Sequence, residues 1–337
     1  MLTLLWSVFI FLLVILFHEF GHFIVAKSLG VRVNEFSIGM GPAVFQKNTE
    51  ETKYSLRLLP VGGYVSMEGE DEASDDPRSF SQSPVWKRMA IIVAGALMNF
   101  VLAMIVLLFA FGLSGRQIPV IASFPENSAL EKAGFLPGDR ILSIDEEPIN
   151  DWNELLDRVA GLQEGTPAVI RAEREEEVFE ATVIPYQDAS GRILVGIIPE
   201  TEKDPAYAWE NTIATFGFML SAMVDFFRSL FRGAVGLNDL SGPVAIVGAI
   251  GQASAGGIYS VLLLLAFISV NVGFFNLLPI PALDGGKMVF LLIEAIRGKP
   301  LPVEKESMVH LIGFALLMLL IIVVTFKDVL RLGVFGG

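Results

Sequence analysis

Residues 2–22 read LTLLWSVFIFLLVILFHEFGH, an uncharged apolar run that leads directly into the motif H-E-x-x-H. A run of this length is close to what a helix needs to cross a hydrocarbon core of about 30 Å. It has no basic start and no small-residue cleavage site, so we interpret it as a retained membrane helix and not as a cleaved signal peptide. The first predicted span therefore runs into His18, Glu19 and His22.

The composition of the whole chain agrees with a membrane location. Of the 337 residues, 53% are hydrophobic and 18% are charged, whereas soluble domains carry about 25% charged residues. The mean hydropathy is +0.59. We predict a polytopic α-helical membrane protein with about four transmembrane helices, from the nearly uncharged runs 2–17, 91–113, 259–275 and 311–326.

Charge and cysteine content exclude several classes of site. The formal net charge of -13 excludes a sequence-independent nucleic-acid partner, because such binding needs clustered Lys and Arg to displace phosphate counterions. The chain has no cysteine, so it has no disulfide and no thiolate metal site. Any metal must take nitrogen and oxygen ligands.

His18 and His22 are the first candidate metal ligands. Residues four apart share one face of a helix, so both imidazoles can reach one Zn²⁺ while Glu19 lies beside a metal-bound water. The metal lowers the pKa of that water towards about 7, so that a carboxylate can take its proton. The alternative is two polar residues satisfied inside a helix bundle. Ionisable groups at the end of an apolar span are expensive without a function, which favours zinc.

A catalytic zinc site needs a third protein ligand, and Asp284 is the better candidate than His310, the only other histidine. Asp284 ends the stretch NLLPIPALD, residues 276–284, where two prolines interrupt the helix directly after a predicted span. Irregular backbone at membrane depth is tolerated where protein or a water-filled cavity covers it. An ordinary loop leaving the membrane is the alternative. If the first and third spans both run inward, the two motifs follow their inner ends and form one site.

The whole chain divides into four predicted parts. Alternating β-favouring stretches and glycines over about residues 31–67 predict a β-hairpin or small sheet, and residues 117–200 predict a soluble α+β domain that resembles a PDZ domain. Apolar residues at helical spacing after it predict an amphipathic helix, either buried or lying in the membrane interface. The predicted parts are an N-terminal membrane half (1–116), the PDZ-like domain (117–200), the amphipathic helix and connector (201–257) and a C-terminal membrane half (258–337).

Together these motifs resemble the bacterial site-2 protease family, an assignment that covers nearly the whole chain. The resemblance rests on H-E-F-G-H near the start, on L-D-G-G preceded by N-x-x-P-x-P, and on the inserted PDZ-like domain. It implies that His18, His22 and Asp284 are zinc ligands and that Glu19 is the general base. Many relatives carry two tandem PDZ domains where this chain shows one, which leaves the choice of substrate open.

The resemblance also implies roles for further residues. Gly95 and Asn99 match the family's G-x-x-x-N element, whose asparagine is expected near the active site, although simple helix packing is the alternative. The remaining residues match the family's substrate-handling segment and its membrane-associated β-hairpin, which is expected to pair with an unwound substrate. These residues are Asn276, Pro279 and Pro281 in the segment, and Gly62, Gly63 and Tyr64 in the hairpin.

The predicted function is that of a zinc-dependent intramembrane endopeptidase in the bacterial cytoplasmic (inner) membrane. Lys87 and Arg88 before the second span favour an active site near the cytoplasmic side and a PDZ-like domain outside. The resemblance implies single-span membrane substrates, such as anti-sigma factors or signal-peptide remnants. A non-catalytic membrane scaffold with a partner-binding PDZ-like domain is the alternative, although Glu19 would then have no use. A metal or proton transporter is less favoured, because the other spans hold few ionisable residues.

Overall fold

The computed structural model describes residues 2–70, 72, 74–234, 236 and 242–331. Residues 235 and 237–241 of the predicted helix and connector, and 332–337 of the predicted C-terminal half, therefore lie outside the described residues. Within the described ranges the helices are α1 (Leu2–Ser28), α2 (Val85–Ser114), α3 (Ala129–Lys132), α4 (Trp152–Ala160), α5 (Pro205–Phe231), α6 (Pro243–Ala255), α7 (Ile258–Leu277), α8 (Asp284–Arg297) and α9 (Val303–Arg331).

Five of the described helices are long and apolar enough to cross a membrane. Four of them, α1, α2, α7 and α9, contain the four runs predicted from the sequence. The additional candidate is Pro205–Leu230 of α5, the stretch predicted as an amphipathic helix, and its most apolar window is only 6% buried. The prediction of about four spans is therefore not confirmed by helix length and composition. Asp225 and Arg228 lie near the end of α5, so that most of its length is uncharged.

Helices α1 and α2 touch backbone to backbone at a glycine. A Cβ placed on Gly21 would lie 2.3 Å from the carbonyl oxygen of Ala94, so no larger residue fits between the two helices. Helix α7 packs on the other side of α2 in the same way, since a Cβ on Gly273 would lie 2.9 Å from the carbonyl oxygen of Ala96. The three helices are therefore held at close distance by small residues, which is typical of helix packing in membranes.

Helices α1 and α7 run in the same direction. Near the start of α1, Thr3 lies 3.2 Å from where a Cβ on Gly251 would stand, and Gly251 belongs to α6, which directly precedes α7. Near the other end of α1, His18 lies against Asp284, which follows α7. Both pairs of corresponding ends are thus neighbours. This direction agrees with the topology that the two motifs predict.

Residues 33–67 form a small sheet from two long strands, β1 (Val33–Asn48) and β2 (Lys53–Met67). The strands pair antiparallel, but both bend, so that residues 33–38 pair with 63–67 and also lie beside 53–56. Positive φ angles at Gly39, Gly41 and Gly62 allow these bends. The resulting spatial order is 43–48, 53–57, 33–38, 63–67. Residues 63–67 are therefore an edge strand, and this edge lies against α1.

The second compact unit covers Phe111–Glu210. Its core packs Leu130, Phe135, Ile141 and Ile170 between a sheet and two short helices. Both helices have side-chain caps, since Ser128 accepts from the N–H of Glu131 and Asp151 accepts from the N–H of Glu154. The narrower bounds 117–200 remain a prediction. The strands are β3 (Arg116–Ser123), β4 (Arg140–Ile144), β5 (Glu147–Pro148), β6 (Ala168–Arg174), β7 (Glu177–Val183), β8 (Tyr186–Gln187), β9 (Ile193–Leu194) and β10 (Ile198–Glu202), with sheet order β10-β3-β4-β6-β7 and β5 paired to β4.

Candidate metal centre and active site

The two histidines of α1 lie one turn apart with their rings in edge contact. The Nε2 atoms of His18 and His22 are 3.3 Å apart, and the ring planes are almost perpendicular at 88°. Both side chains are largely buried, with 12% and 11% of their surfaces exposed. The helical spacing of the motif therefore converges two imidazole nitrogens on one point.

Asp284 reaches the same point from the turn between α7 and α8. Ala282 has a left-handed φ of 77°, which reverses the chain just before Asp284 begins α8. The backbone then closes tightly on itself, because a Cβ on Gly285 would lie 2.0 Å from the carbonyl oxygen of Leu278. A Cβ on Gly286 would similarly lie 2.5 Å from the carbonyl oxygen of Ile280. The two glycines of the L-D-G-G stretch are thus required by close backbone contact.

The Asp284 carboxylate completes a cluster of three donors. Its Oδ2 lies 3.1 Å from His18 Nε2 and 3.3 Å from His22 Nε2. The three ligand atoms lie within 4.8 Å of one another. Oδ2 is buried and has no hydrogen-bond partner among the described residues, although a carboxylate oxygen normally accepts several hydrogen bonds. Two imidazole nitrogens and one carboxylate oxygen are a donor set that catalytic zinc uses, so these residues fit the ion.

The backbone of α2 lies directly behind both rings. Nδ1 of His22 is 2.8 Å from the carbonyl oxygen of Ile91, which orients this ring. Gly95 faces the rings without a side chain, and a Cβ there would lie 2.3 Å from His22 Nε2. Asn99 follows one turn later and is fully buried, with its amide 3.3 Å from His18 Nδ1. The structure therefore brings Gly95 and Asn99, which the sequence suggested, next to the histidines.

Glu19 points from α1 towards the edge strand of the sheet. Its Oε2 accepts a hydrogen bond from the N–H of Val65 at 3.1 Å. A Cβ on Gly63 would lie 3.7 Å from Glu19 Cγ, so a side chain at this position of the strand would contact Glu19. The carboxylate that is the candidate base is thus held beside the three donors by a backbone group. Gly63 lies at this contact, as the hairpin interpretation requires.

Other predicted site residues lie apart from the three donors. Tyr64 belongs to a polar cluster on the sheet, where Arg57 donates to the tyrosine oxygen at 2.6 Å and to Glu35 at 2.8 Å. Burial raises the pKa of Glu35, but hydrogen bonds from Ser55 and Arg57 outweigh it and lower the pKa to about 2. Gly62 lies against Met40. This cluster therefore stabilises the bent sheet.

Residues of the proline segment have separate positions. Asn276 lies in the last turn of α7, and Pro279 is exposed in the turn that follows. Among the described residues, neither has a hydrogen bond or ion pair that joins it to the three donors. Pro281 packs against α9, since a Cβ on Gly313 would lie 2.4 Å from Pro281 Cβ. The structure therefore gives Pro281 a packing contact with α9, while Asn276 is half-buried and Pro279 is exposed.

Several groups at the site could not be recognised from the sequence. His310, considered there as a possible ligand, instead accepts a hydrogen bond from the N–H of Ala282 at 2.9 Å through Nδ1. It thereby fixes the left-handed residue before Asp284. The carbonyl of Ile91 and the N–H of Val65 are backbone groups, which carry no sequence signal. Only their positions relative to the H-E-x-x-H helix reveal them.

Comparisons with known proteins show the family of this chain. The model of peptidase family M50 matches residues 6–320. The chain is 36% identical over 330 residues to a protein of Clostridium acetobutylicum whose name places it with the zinc metalloproteases, covering 96% of each chain. It is 31% identical to the regulator of sigma-W protease RasP of Bacillus subtilis, covering 98% of this chain and 99% of that one.

A part of the chain also resembles solved PDZ domains. One is the PDZ domain of an SdrC-like protein from Listeria monocytogenes, with 17% identity and a TM-score of 0.22, covering 25% of this chain and 86% of that one. The family match and the relatives cover both membrane halves, including the helix that carries H-E-x-x-H and the turn that carries Asp284. The chain therefore belongs to peptidase family M50, the site-2 protease family of zinc metalloproteases.

Proposed function

We propose that His18, His22 and Asp284 hold the zinc ion of this peptidase and that Glu19 is its general base. The observation that carries this assignment is the convergence of three donors, with Asp284 Oδ2 at 3.1 and 3.3 Å from the two Nε2 atoms. Bound zinc would supply Lewis acidity, polarising the scissile carbonyl and making a water nucleophilic at neutral pH. Glu19 lies next to His18 on the same helix and would accept a proton and return it to the leaving amine.

The edge strand 63–67 would align the substrate beside these residues. A substrate helix must unwind to present its carbonyl, and an extended segment can add to an exposed sheet edge through main-chain hydrogen bonds. The contact between Val65 and Glu19 places this edge at the candidate base. Gly63 has no side chain, and this allows the carbonyl oxygen of Ser37 to lie 2.7 Å from where its Cβ would stand. Asn276 and Pro279, on the opposite turn, would then contact the same extended segment.

The direction of α7 supports four crossings. Because α1 and α7 run in the same direction and α2 returns between them, the segment between α2 and α7 must begin and end on one side. A crossing by α5 would require a second one before α7, and the 13 residues of α6 reach only about 20 Å. We therefore propose that the unit Phe111–Glu210 lies outside the bacterial inner membrane. Lys87 and Arg88 at the start of α2 favour a cytoplasmic position for the zinc site.

The substrates would be single-span membrane proteins. A zinc site enclosed by apolar helices is accessible to a segment that is itself in the membrane, and the relative in Bacillus subtilis is named a regulator of sigma-W protease. Anti-sigma factors and signal-peptide remnants are the substrate classes that fit this setting. The outer domain and α5 would exclude proteins whose outer part has not yet been shortened.

Substitution of Glu19 by Gln tests the assignment and separates a peptidase from a scaffold. The amide keeps the size of the side chain but cannot accept a proton. We expect the variant to retain about one zinc per chain and to cleave a single-span substrate about 10² to 10⁴ times more slowly. Zinc is measured by atomic emission and cleavage by mass spectrometry in detergent, with a chelator-treated wild type as the control. Wild-type cleavage by Glu19→Gln would refute the role of Glu19, and chelator-insensitive cleavage would refute the zinc site.

A further inference from the structure

Asn99 presents an amide whose two ends have unequal surroundings. Its side chain is fully buried in α2, and its Nδ2 lies 3.3 Å from His18 Nδ1. Its Oδ1 is buried and has no hydrogen-bond partner among the residues that the structure describes. A buried amide oxygen without a partner costs roughly 1–3 kcal/mol. This arrangement therefore needs an explanation.

The proposed ligand set decides which end of the amide faces His18. Its Nε2 faces Asp284 and His22, so on the proposed ligand set this nitrogen must carry no proton. A neutral imidazole then carries its proton on Nδ1, the nitrogen that faces Asn99. Two N–H donors cannot hydrogen-bond to each other. The oxygen and nitrogen ends of an amide have nearly the same shape, so their assignment follows from the hydrogen bonds. A half-turn of the Asn99 amide exchanges the two atoms and places Oδ1 where it accepts a hydrogen bond from His18 Nδ1.

The neighbouring histidine has a similar arrangement. His22 Nδ1 lies 2.8 Å from the carbonyl oxygen of Ile91, so a backbone acceptor fixes its tautomer. His18 has no such backbone acceptor among its described hydrogen bonds, and Asn99 takes this place. Ser269 of α7 donates to the backbone carbonyl of Asn99 at 2.7 Å, which holds this turn of α2 in position. Each proposed histidine ligand therefore has one acceptor behind it, and both acceptors come from α2.

We infer that Asn99 is a positioning residue whose side-chain oxygen accepts from His18 Nδ1 and thereby keeps Nε2 available for zinc. This inference rests on the proposed ligand set. It assigns Asn99 to metal affinity and not to substrate binding or to helix packing alone. Acceptors behind metal-bound histidines typically change metal affinity by 10-fold to 100-fold.

The test compares three substitutions of Asn99 in the full-length protein in detergent. Asn99→Leu has a similar size but no acceptor, Asn99→Ala removes the acceptor without adding bulk, and Asn99→Asp keeps an acceptor. Zinc affinity is measured by competition with a chromophoric chelator, and circular dichroism verifies the fold. We expect Leu and Ala to weaken zinc binding 10-fold to 100-fold and Asp to remain within a few-fold of wild type.

The His18→Ala variant separates failure of this inference from failure of the ligand set. If His18→Ala retains wild-type zinc affinity, the ligand set is wrong. If His18→Ala loses zinc while Asn99→Ala and Asn99→Leu bind it as wild type does, only the role of Asn99 is wrong. Equal weakening in Asn99→Asp and Asn99→Leu would also overturn the inference, because it would show that packing matters and the acceptor does not.

Discussion

Substitution of Gly95 by Ala should weaken zinc binding although no proposed ligand is replaced. The added Cβ would lie 2.3 Å from His22 Nε2 and 2.9 Å from His18 Cε1. Since non-bonded carbon contacts are favourable at about 3.5 Å or more, the His22 ring would have to move by about 1 Å. Metal sites tolerate deviations of only about 0.2 Å in ligand distance. Overpacking of this kind costs about 1–3 kcal/mol, which corresponds to roughly a fivefold to hundredfold loss of zinc affinity.

Gly112 provides the matched control on the same helix. A Cβ at this position meets no atom within 4 Å, and Ala is favoured over Gly in a helix by up to about 1 kcal/mol. Both variants are purified in detergent, and their zinc content and chelator-competition curves are compared with wild type. We expect Gly112→Ala to bind zinc normally. Wild-type zinc affinity in Gly95→Ala would refute the argument that the α2 backbone sets the position of the two rings.

Two further predictions concern the membrane topology and the stability of the unit Phe111–Glu210. With an impermeant maleimide applied to intact cells, a single cysteine at the exposed position Asn153 should be labelled and one at the exposed position Asp75 should not, and the reverse pattern would overturn the proposed orientation. Asp139 is buried and paired with Arg174 at 2.7 Å, so Arg174→Met should destabilise this domain by about 1–3 kcal/mol, measured by hydrogen exchange of β4 and β6 amides. Burial raises the pKa of Asp139, but Arg174 outweighs it and lowers the pKa; the pair therefore stabilises the fold above the unfolded pKa of about 4 and loses this effect as the pH falls further. The difference between wild type and Arg174→Met should shrink in acid, and a constant difference would contradict the ion pair.

The candidate metal centre could be predicted because its residues form local patterns in the sequence. The H-E-x-x-H spacing places two rings on one helical face, and the prolines before Asp284 mark a break directly after a span. The structure brings these residues together as expected. The role of Asn99 beside His18 was less certain, because a G-x-x-x-N pattern also fits plain helix packing. In the structure Asn99 is buried with its amide 3.3 Å from His18 Nδ1, so it lies beside the proposed zinc ligands.

The partners of these residues could not be predicted, because they are backbone groups or contacts between distant segments. The N–H of Val65 reaches Glu19 only because the two long strands bend at glycines, which places four strand segments side by side in one sheet. His310 meets Ala282 across the space between two helices, with no spacing rule to relate them. The number of spans was also uncertain, since α5 has the length of a span and the charge of a surface helix at its end. Length and hydropathy measure one helix at a time, whereas a crossing depends on its neighbours.

The distribution of the three donors along the chain has a consequence for biosynthesis. The ribosome synthesises His18 and His22 first. Asp284 follows only after α1, α2, the small sheet and the unit Phe111–Glu210 have been synthesised. At typical translation rates this delay is roughly tens of seconds. During that interval a nascent chain in the membrane offers two of the three proposed donors and has no α7 to pack on α2. The growing protein therefore passes through most of its membrane insertion before the third proposed donor, Asp284, has been synthesised.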